Sequence, residues 1–332
     1  MPRNPEIVPF TDAHADAAAR LIGERQARLR ATLPALPERW CEADEARSRL
    51  DVLRGADSAA GFAALDDDRL VGFLVGETRL DAPWDRAGWV DLAGHAVDPM
   101  RPDVAGDLFA AWSARLLREQ GVFRYLVNVP ATDRDALEAW SQLGFGQMHA
   151  SAIRSTDASD LGAPDPSIVV RVGGAGDEAI MSDASELIWR EQASPPSWSP
   201  MLPERIEPNR ADWIEELTLG DPIWIAEDAA THEPLGVSVS YPLDPDLDIP
   251  DRNIKLAGTA TFPAARRRGV GRALLRQVLA EGARRGAPWC VTDWRTSSLL
   301  ASRAWTGLGF VRTRLRLERV IDERIAWANG PA

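Results

Sequence analysis

Thr259-Ala-Thr-Phe-Pro-Ala-Ala-Arg-Arg-Arg-Gly-Val-Gly-Arg-Ala-Leu-Leu275 is the stretch whose reading decides the fold. Residues up to Phe262 suit a strand. After Gly271, apolar side chains recur at Ala273, Leu274, Val278 and Leu279, the period of a helix with one face in a core. Between the two lie Arg266, Arg267, Arg268, Gly269, Val270 and Gly271. The first turn of a helix leaves backbone N–H groups without intrahelical acceptors, and the helix dipole favours an anion there. Glycines let that backbone approach a phosphate closely, and arginines add charge and forked donors. On these residues alone, phosphate binding stands beside a plainer reading, a basic helix start with a solvated face.

The spacing Pro263, Arg266, Gly269, Gly271 fits Pro-x-x-[Gln/Arg]-x-x-Gly-x-[Gly/Ala]. It resembles the acyl-CoA signature of the GNAT N-acetyltransferase superfamily. A second stretch, Ser298-Leu-Leu-Ala-Ser-Arg-Ala-Trp-Thr-Gly-Leu-Gly-Phe310, is similar to the family's Asn-x-x-Ala-x-x-x-Tyr-x-x-x-Gly-Phe. Ser298 falls on the Asn, Ala301 on the Ala, Trp305 on the Tyr, and Gly309 and Phe310 on the Gly-Phe. The resemblance implies that the loop holds the pyrophosphate of acetyl-CoA and that the preceding strand runs beside its pantetheine arm. The residues expected at that co-substrate are Thr259, Ala260, Thr261, Phe262, Arg266, Arg267, Arg268, Gly269, Val270, Gly271, Arg272, Ala273, Ser298 and Trp305.

The 332 residues are 45% hydrophobic and 27% charged, which suits a globular chain of two ordinary domains. A net charge of −12 argues against a general nucleic-acid binder, which needs a basic face. Only Cys41 and Cys290 are present, too few and too far apart for a disulfide framework or a zinc site, and no metal is expected. The N-terminal Met-Pro-Arg-Asn-Pro-Glu lacks an apolar signal core, and no run reaches the roughly 20 apolar residues of a membrane span. A cytoplasmic protein is expected. Lys255 is the only lysine.

In order, Ile7–Phe10 reads as a strand, with Thr11 or Asp12 capping a helix from Ala13 to Leu29 that Pro34 and Pro37 stop. A second helix runs over Glu42–Leu53. Residues 61–65 and 70–75 form a hairpin about Asp66-Asp-Asp68, and 89–97 is one further strand. A helix at 103–120, a strand at 123–129, a helix at 134–143 and a strand at 145–153 complete this half. Residues 155–167 carry turn formers without an apolar period and read as a linker. The same order then repeats: strand 168–172, helices 177–192 and 209–219, hairpin 223–227 with 235–240, strand 254–262, helix 269–285, strand 289–292, helix 297–306 and strand 314–321. A repeat of half the chain is most simply two copies of one fold. The expected class is α/β (α+β): two tandem GNAT acyl-CoA N-acyltransferase folds, each a mixed, mainly antiparallel sheet flanked by helices. The expected domains are 1–154, a linker 155–167, and 168–332 with the acetyl-CoA site. This layout is similar to that of tandem enzymes of the mycothiol synthase type.

The halves differ at the chemistry. Pro99 stands where Pro263 stands, but Pro102, Ala105 and Asp107 replace Arg266, Gly269 and Gly271, and Asp103 lies nearby. Carboxylates without a glycine pair make a poor pyrophosphate site. Yet Asp133, Ala136, Trp140, Gly144 and Phe145 keep the frame of the second motif. The N-terminal domain is therefore expected to be degenerate, serving as support, in a homodimer, or as a wall of the substrate pocket; the alternative is that it binds acyl-CoA in an altered way.

The family's chemistry is attack of a neutral amine on the thioester. It needs a donor to the carbonyl, which a backbone N–H of the 259–262 strand suits, an acceptor for the ammonium proton, and a proton for the departing thiolate. The tyrosine that often gives the last is here Trp305, whose indole N–H is a donor without useful acidity. Tyr125 and Tyr241, the only two tyrosines, lie outside the motif. Lys255, on the strand where many relatives carry a glutamate, and Asp293, just past strand 289–292, are the candidate catalytic residues; Glu227 reads as a surface carboxylate. His95 reads as a structural histidine, and His14, His149 and His232 have no metal-like spacing. Trp189, Trp198 and Trp213 lie in the segment that shapes the acceptor pocket in relatives, where aromatic walls suit an amine, and core packing suits them equally. Three readings stay open: an N-acetyltransferase with a small-molecule amine acceptor, a non-catalytic acyl-CoA-binding or regulatory protein, and a synthase acting on a cysteinyl glycoside.

Overall fold

The computed structural model describes residues 4–80 and 86–327; the first three residues, part of the stretch read above for a leader, lie outside them. The chain forms two compact units. Unit 1 contains the residues up to His149, Asp246–Asp248 and the residues from Thr313 onward; unit 2 contains Ala150–Pro245 and Ile249–Arg312.

In unit 1 the order is β1 (Glu6–Pro9), α1 (Asp12–Thr32), α2 (Ala43–Arg54), β2 (Ala60–Asp66), β3 (Arg69–Arg79), β4 (Ala87–Val90), β5 (His95–Val97), α3 (Val104–Gln120), β6 (Arg124–Pro130) and α4 (Arg134–Gln142). Strand β7 (Gly146–Ser155) follows. Thr11 is the N-cap of α1. Asp67 and Asp68 turn the β2–β3 hairpin at φ 46° and 67°, a region that aspartate tolerates better than most side chains. The strands pair antiparallel from β1 through β4, except that β4 lies parallel to β6. Ala18, Ala19 and Ile22 of α1 pack with Leu50 of α2 against Phe73 and Val75 of β3. Those α1 positions follow the 3.6 period of a helix buried on one side.

Unit 2 holds β8 (Ile168–Val172), α5 (Glu178–Ala193), α6 (Pro203–Glu215), β9 (Ile223–Asp228), β10 (Pro234–Tyr241), β11 (Asn253–Thr261), α7 (Val270–Arg284), β12 (Trp289–Arg295) and α8 (Leu299–Gly307). Its strands run β12-β11-β10-β9-β8, with β11 parallel to β12 and the others antiparallel. Both faces are covered. Ile225, Val237 and Val239 meet Met181 and Ala184 of α5, while Ala226 and Leu235 meet Val270 and Leu274 of α7. Ile225 and Ala226 facing opposite ways is the period of two that a strand imposes.

Three features depart from the expectations. The strand expected over 89–97 is two, β4 and β5, separated by a 3-10 turn at Leu92–Gly94. An added Cβ on Gly94 would lie 2.3 Å from the Val75 carbonyl oxygen, so the break rests on a backbone approach open only to glycine. Helix α6 begins at Pro203 rather than near Asn209, because proline's fixed φ suits the first helical position; Pro208 sits inside the helix. The units also depart from the halves of the sequence. Ala150–Ser155 of β7 lies in unit 2, and Thr313–Val320 of β13 (Val311–Val320) lies in unit 1, where β13 pairs antiparallel with β6. Sequence order gives the run of elements, with β4 and β5 merged, but not the sheet edge each strand joins.

Candidate active site

The loop before α7 is anchored at its start and bent twice. Ala265 is buried with Leu235, Val270 and Leu274. Arg267 at φ 65° and Gly269 at φ 89° both take left-handed backbone, and Gly269 is the N-cap of α7. Nothing lies within 4 Å of a Cβ added to Gly269. The first-turn amides of α7 therefore emerge at an open surface with no acceptor from their own helix. That surface is the floor of a cleft of about 860 Å³.

Strand β11 supplies a wall. Its pairing with β12 runs from Asn253↔Trp289 to Leu256↔Thr292. Further along, Thr259, Ala260 and Thr261 stand opposite Ser238, Val237 and Gly236 of β10, and among the described residues no β12 partner is paired with them. The two parallel strands thus part where β11 enters the cleft.

Of the residues expected at the co-substrate, 259–261, 266–273, Ser298 and Trp305 line this cleft; Phe262 does not. The Phe262 N–H donates to the Leu235 carbonyl at 3.0 Å and continues the β10 pairing. Arg266 forms an ion pair with Glu191 of α5, and its buried Nε has no acceptor. Arg268 pairs with Asp228 at 2.7 Å, and that bond, with the Ala230 and Thr231 amides, holds the Asp228 carboxyl below its usual range. Ser298 caps α8 by accepting from the Ala301 N–H at 3.4 Å. Trp305 is buried and meets Phe310 edge-on, ring centres 5.6 Å apart.

Lys255 and Asp293 are brought together, with Nζ and Oδ1 2.8 Å apart on the neighbouring strands β11 and β12. They are not among the residues lining the cleft. Glu227 is engaged by Arg171 at 2.7 Å, and Arg171 also forks onto Asp177 at 2.7 and 2.8 Å. His95, in unit 1, is buried and its Nε2 lies 2.8 Å from the Asn128 carbonyl; a carbonyl only accepts, so Nε2 carries the proton. Burial first, then the Arg25 charge, brings its pKa down to about 3.

Leu187, Ile188 and Glu191 of α5 line the cleft, as do Ala163, Pro164 and Asp165 of the segment expected to be only a linker. An amphipathic helix gives no sign of which turn faces a ligand, and a Pro-rich connector gives no period at all. The tryptophans that suited an acceptor pocket and core packing equally do not line this cleft. Trp213 covers Gly258, where an added Cβ would lie 2.6 Å from its ring, Trp189 stacks under Arg190, and Trp198 is exposed.

Unit 1 has its own cavity of about 440 Å³, lined by Pro99, Pro102, Ala105, Asp133, Ala136 and Trp140 among others. All of these but Pro99 are the N-terminal counterparts of residues that line the cleft of unit 2. Asp133 caps α4 through the Ala136 N–H at 3.1 Å, as Ser298 caps α8. No group of three or more His, Cys, Asp or Glu able to hold a metal occurs among the described residues, and no described helix is long and apolar enough to cross a membrane.

Residues 185–310 match the family model described as the acetyltransferase (GNAT) family. Among solved structures, a GCN5-related N-acetyltransferase from Sphaerobacter thermophilus is similar over 95% of both chains, with a TM-score of 0.57 and 16% identity. A tandem GNAT protein from the clavulanic acid biosynthesis pathway is similar over 98% of this chain and 99% of its own, with a TM-score of 0.53 and 16% identity. At such identities the likeness concerns the fold. No curated protein matches the sequence.

Proposed function

We propose that this chain, a GNAT superfamily protein of tandem-domain build, transfers an acetyl group from acetyl-CoA to the amine of a small-molecule acceptor, with acetyl-CoA held in the cleft of unit 2. The observation that carries the reading is the loop from Arg266 to Gly271: first-turn amides, a left-handed Gly269, and a buried Arg266 Nε without an acceptor, all on one cleft. Those groups suit a pyrophosphate. Strand β11 at Thr259–Thr261, parted from β12, suits an extended amide-bearing arm that adds to a sheet edge.

In the transfer a C–N bond forms and the C–S bond breaks; the ammonium gives up one proton before attack, the attached nitrogen gives up a second to water as the tetrahedral intermediate collapses, and the thiolate takes one. This reading assigns the first proton to Asp293, directly or through water, with Lys255 holding that carboxylate in place. A backbone N–H of β11 is assigned to the developing oxyanion. Trp305 can donate a hydrogen bond to the thiolate but not protonate it, which leaves that proton to water. A cytoplasmic setting and a soluble acceptor belong to this reading.

A second reading, an acyl-CoA-binding protein without turnover, is favoured by one observation: the motif tyrosine is replaced by Trp305, packed on Phe310. Two measurements test both. Calorimetric titration with acetyl-CoA is expected to show one site per chain, lost in Arg266→Glu/Gly271→Asp. Mass spectrometry of an amine panel incubated with protein and acetyl-CoA is expected to find an acetylated product, at a rate reduced in Asp293→Asn. Absence of binding by the parent protein overturns both readings; binding without turnover on any amine selects the second.

A further inference from the structure

The two clefts are charged differently. Arg25 of α1 and Glu191 of α5 each line the cleft of their own unit. In unit 2 the helix supplies the carboxylate and the loop supplies its partner, Arg266. In unit 1 the helix supplies the cation, and the loop position holds Pro102, which cannot pair with it.

Arg25 is 4% exposed and lines the 440 Å³ cavity. Nη1 donates to the His95 carbonyl at 2.5 Å and Nη2 to the Leu92 carbonyl at 2.6 Å, while Nε is buried with no acceptor. Among the described residues it has no carboxylate within ion-pair distance. Asp133 acts on it only through space, and Asp133 Oδ1 is occupied by the Ala136 N–H. Two carbonyl dipoles solvate the guanidinium in part but leave its charge uncompensated, and a buried charge without a counter-ion is costly.

We propose that the cavity of unit 1 binds a small organic monocarboxylate, with its carboxylate on Arg25 and its apolar body against Leu29, Val97, Pro102 and Trp140. The wall chemistry sets the class. Arg28 and Arg134 on the same wall offset Asp133 and Asp135, and His95 is neutral, so the buried Arg25 guanidinium leaves a net charge that matches one carboxylate. Acetyl-CoA is disfavoured there because Pro102 and Ala105 replace the arginine and glycine that frame the other cleft. The volume lies in the range of small-molecule sites. The site stands apart from the acetyl-CoA reading and holds or fails independently of it.

The test uses the full chain and para-fluorophenylacetate, followed by fluorine NMR line broadening and calorimetry. Saturable binding at one site per chain is expected, weakened about tenfold or more in Arg25→Met, since a charge-assisted hydrogen bond is lost. Ala139→Phe, which fills the cavity and leaves Arg25 in place, is expected to abolish it and keeps the proposal testable should Arg25→Met fail to fold. Arg266→Glu/Gly271→Asp is expected to leave it unchanged, and the uncharged para-fluorophenylacetamide to bind at least about tenfold more weakly. The proposal is overturned by no binding to the parent protein, by binding that survives Ala139→Phe, by loss of binding in the unit 2 variant, or by an amide that binds as tightly as the acid.

Discussion

Replacing Glu191 with glutamine should tighten acetyl-CoA binding. Glu191 lines the cleft and its carboxylate is paired with Arg266, the loop arginine assigned to the pyrophosphate. The pair is partly exposed, with side-chain exposures of 33% for Arg266 and 40% for Glu191, so its own strength is at most about 1 kcal/mol. Binding a pyrophosphate must replace that contact. The Glu191 charge also repels the incoming anion. Between unit charges ~8 Å apart in water the repulsion is about 0.5 kcal/mol, and a Debye length of about 8 Å cuts it to roughly 0.2 kcal/mol at physiological salt. For two charges, and with part or all of the pair energy added, the gain is about 0.5–1.5 kcal/mol, or roughly two- to tenfold in Kd. Calorimetry at low and at physiological salt measures it. The gain should be larger at low salt, where repulsion is less screened. Unchanged or weaker binding of Glu191→Gln at low salt would refute the reasoning, because Arg266 then either does not meet the pyrophosphate or needs Glu191 to hold it in place.

Further outcomes follow from single contacts. Gly269→Ala puts a side chain at φ 89°, costing about 1–2 kcal/mol of loop strain, and should weaken acetyl-CoA several-fold by calorimetry while the surrounding open space keeps the fold intact. Asp177→Asn removes the charge from a bidentate Arg171 contact and a Gly174 N–H bond at 2.8 Å, so urea unfolding at pH 7 should show a loss of about 1–2 kcal/mol. The Asp177 carboxyl is held below its usual range, chiefly by Arg171, so its contribution is full above the unfolded value and fades as pH falls through the folded one; the two proteins should converge in acid. Cys290 is buried, with its pKa pushed up to about 12, whereas Cys41 is half-buried; a thiol reagent at pH 8 should modify at most Cys41 until denaturant exposes the second thiol.

His95 gives a pH prediction of the same sign as Asp177, but in a higher pH window. Its folded pKa is depressed to about 3 from 6.5, so below 6.5 the unfolded chain binds a proton that the folded chain refuses. Stability should then fall by about 2 kcal/mol between pH 7 and pH 5 from this group alone. Urea unfolding of the parent and of His95→Asn at both pH values checks it, and an equal fall in the two would refute it.

How much of this was legible in the sequence depended on whether the signal was local. The loop's arginines and glycines are contiguous, and all but one of the residues expected at the co-substrate line the cleft. Phe262 is the exception: it stands one residue past the end of β11 at Thr261 and is not among the residues lining the cleft. Glu191 is 75 residues from Arg266, and nothing in an amphipathic helix marks the turn that reaches across a cleft. The pairing of Lys255 with Asp293 needs the parallel register of β11 and β12, which sequence order does not supply. The exchange of the closing strands β7 and β13 between units is illegible for the same reason.

The two motifs carry different information, and the two copies of the fold separate them. The second motif survives in both. Asp133 and Ser298 each cap a helix through the amide three residues on, and Trp140 and Trp305 each meet the following phenylalanine edge-on, at 5.0 and 5.6 Å. These contacts build a helix end and a core, so they are needed whether or not a cleft binds anything. The first motif survives only in unit 2, although the backbone of unit 1 still forms a cavity at the equivalent place. Its residues Arg266, Gly269 and Gly271 are exposed or half-buried and add little to the core, so a fold that no longer binds a pyrophosphate has no packing reason to keep them. Substitutions should sort the same way. Trp140→Ala and Trp305→Ala should each destabilise the chain by about 3–5 kcal/mol in urea unfolding, whereas Arg266→Glu should alter acetyl-CoA binding with little change in stability. A large loss of stability in Arg266→Glu would mean that the loop is a structural element, and the assignment of the cleft to acetyl-CoA would lose its main support.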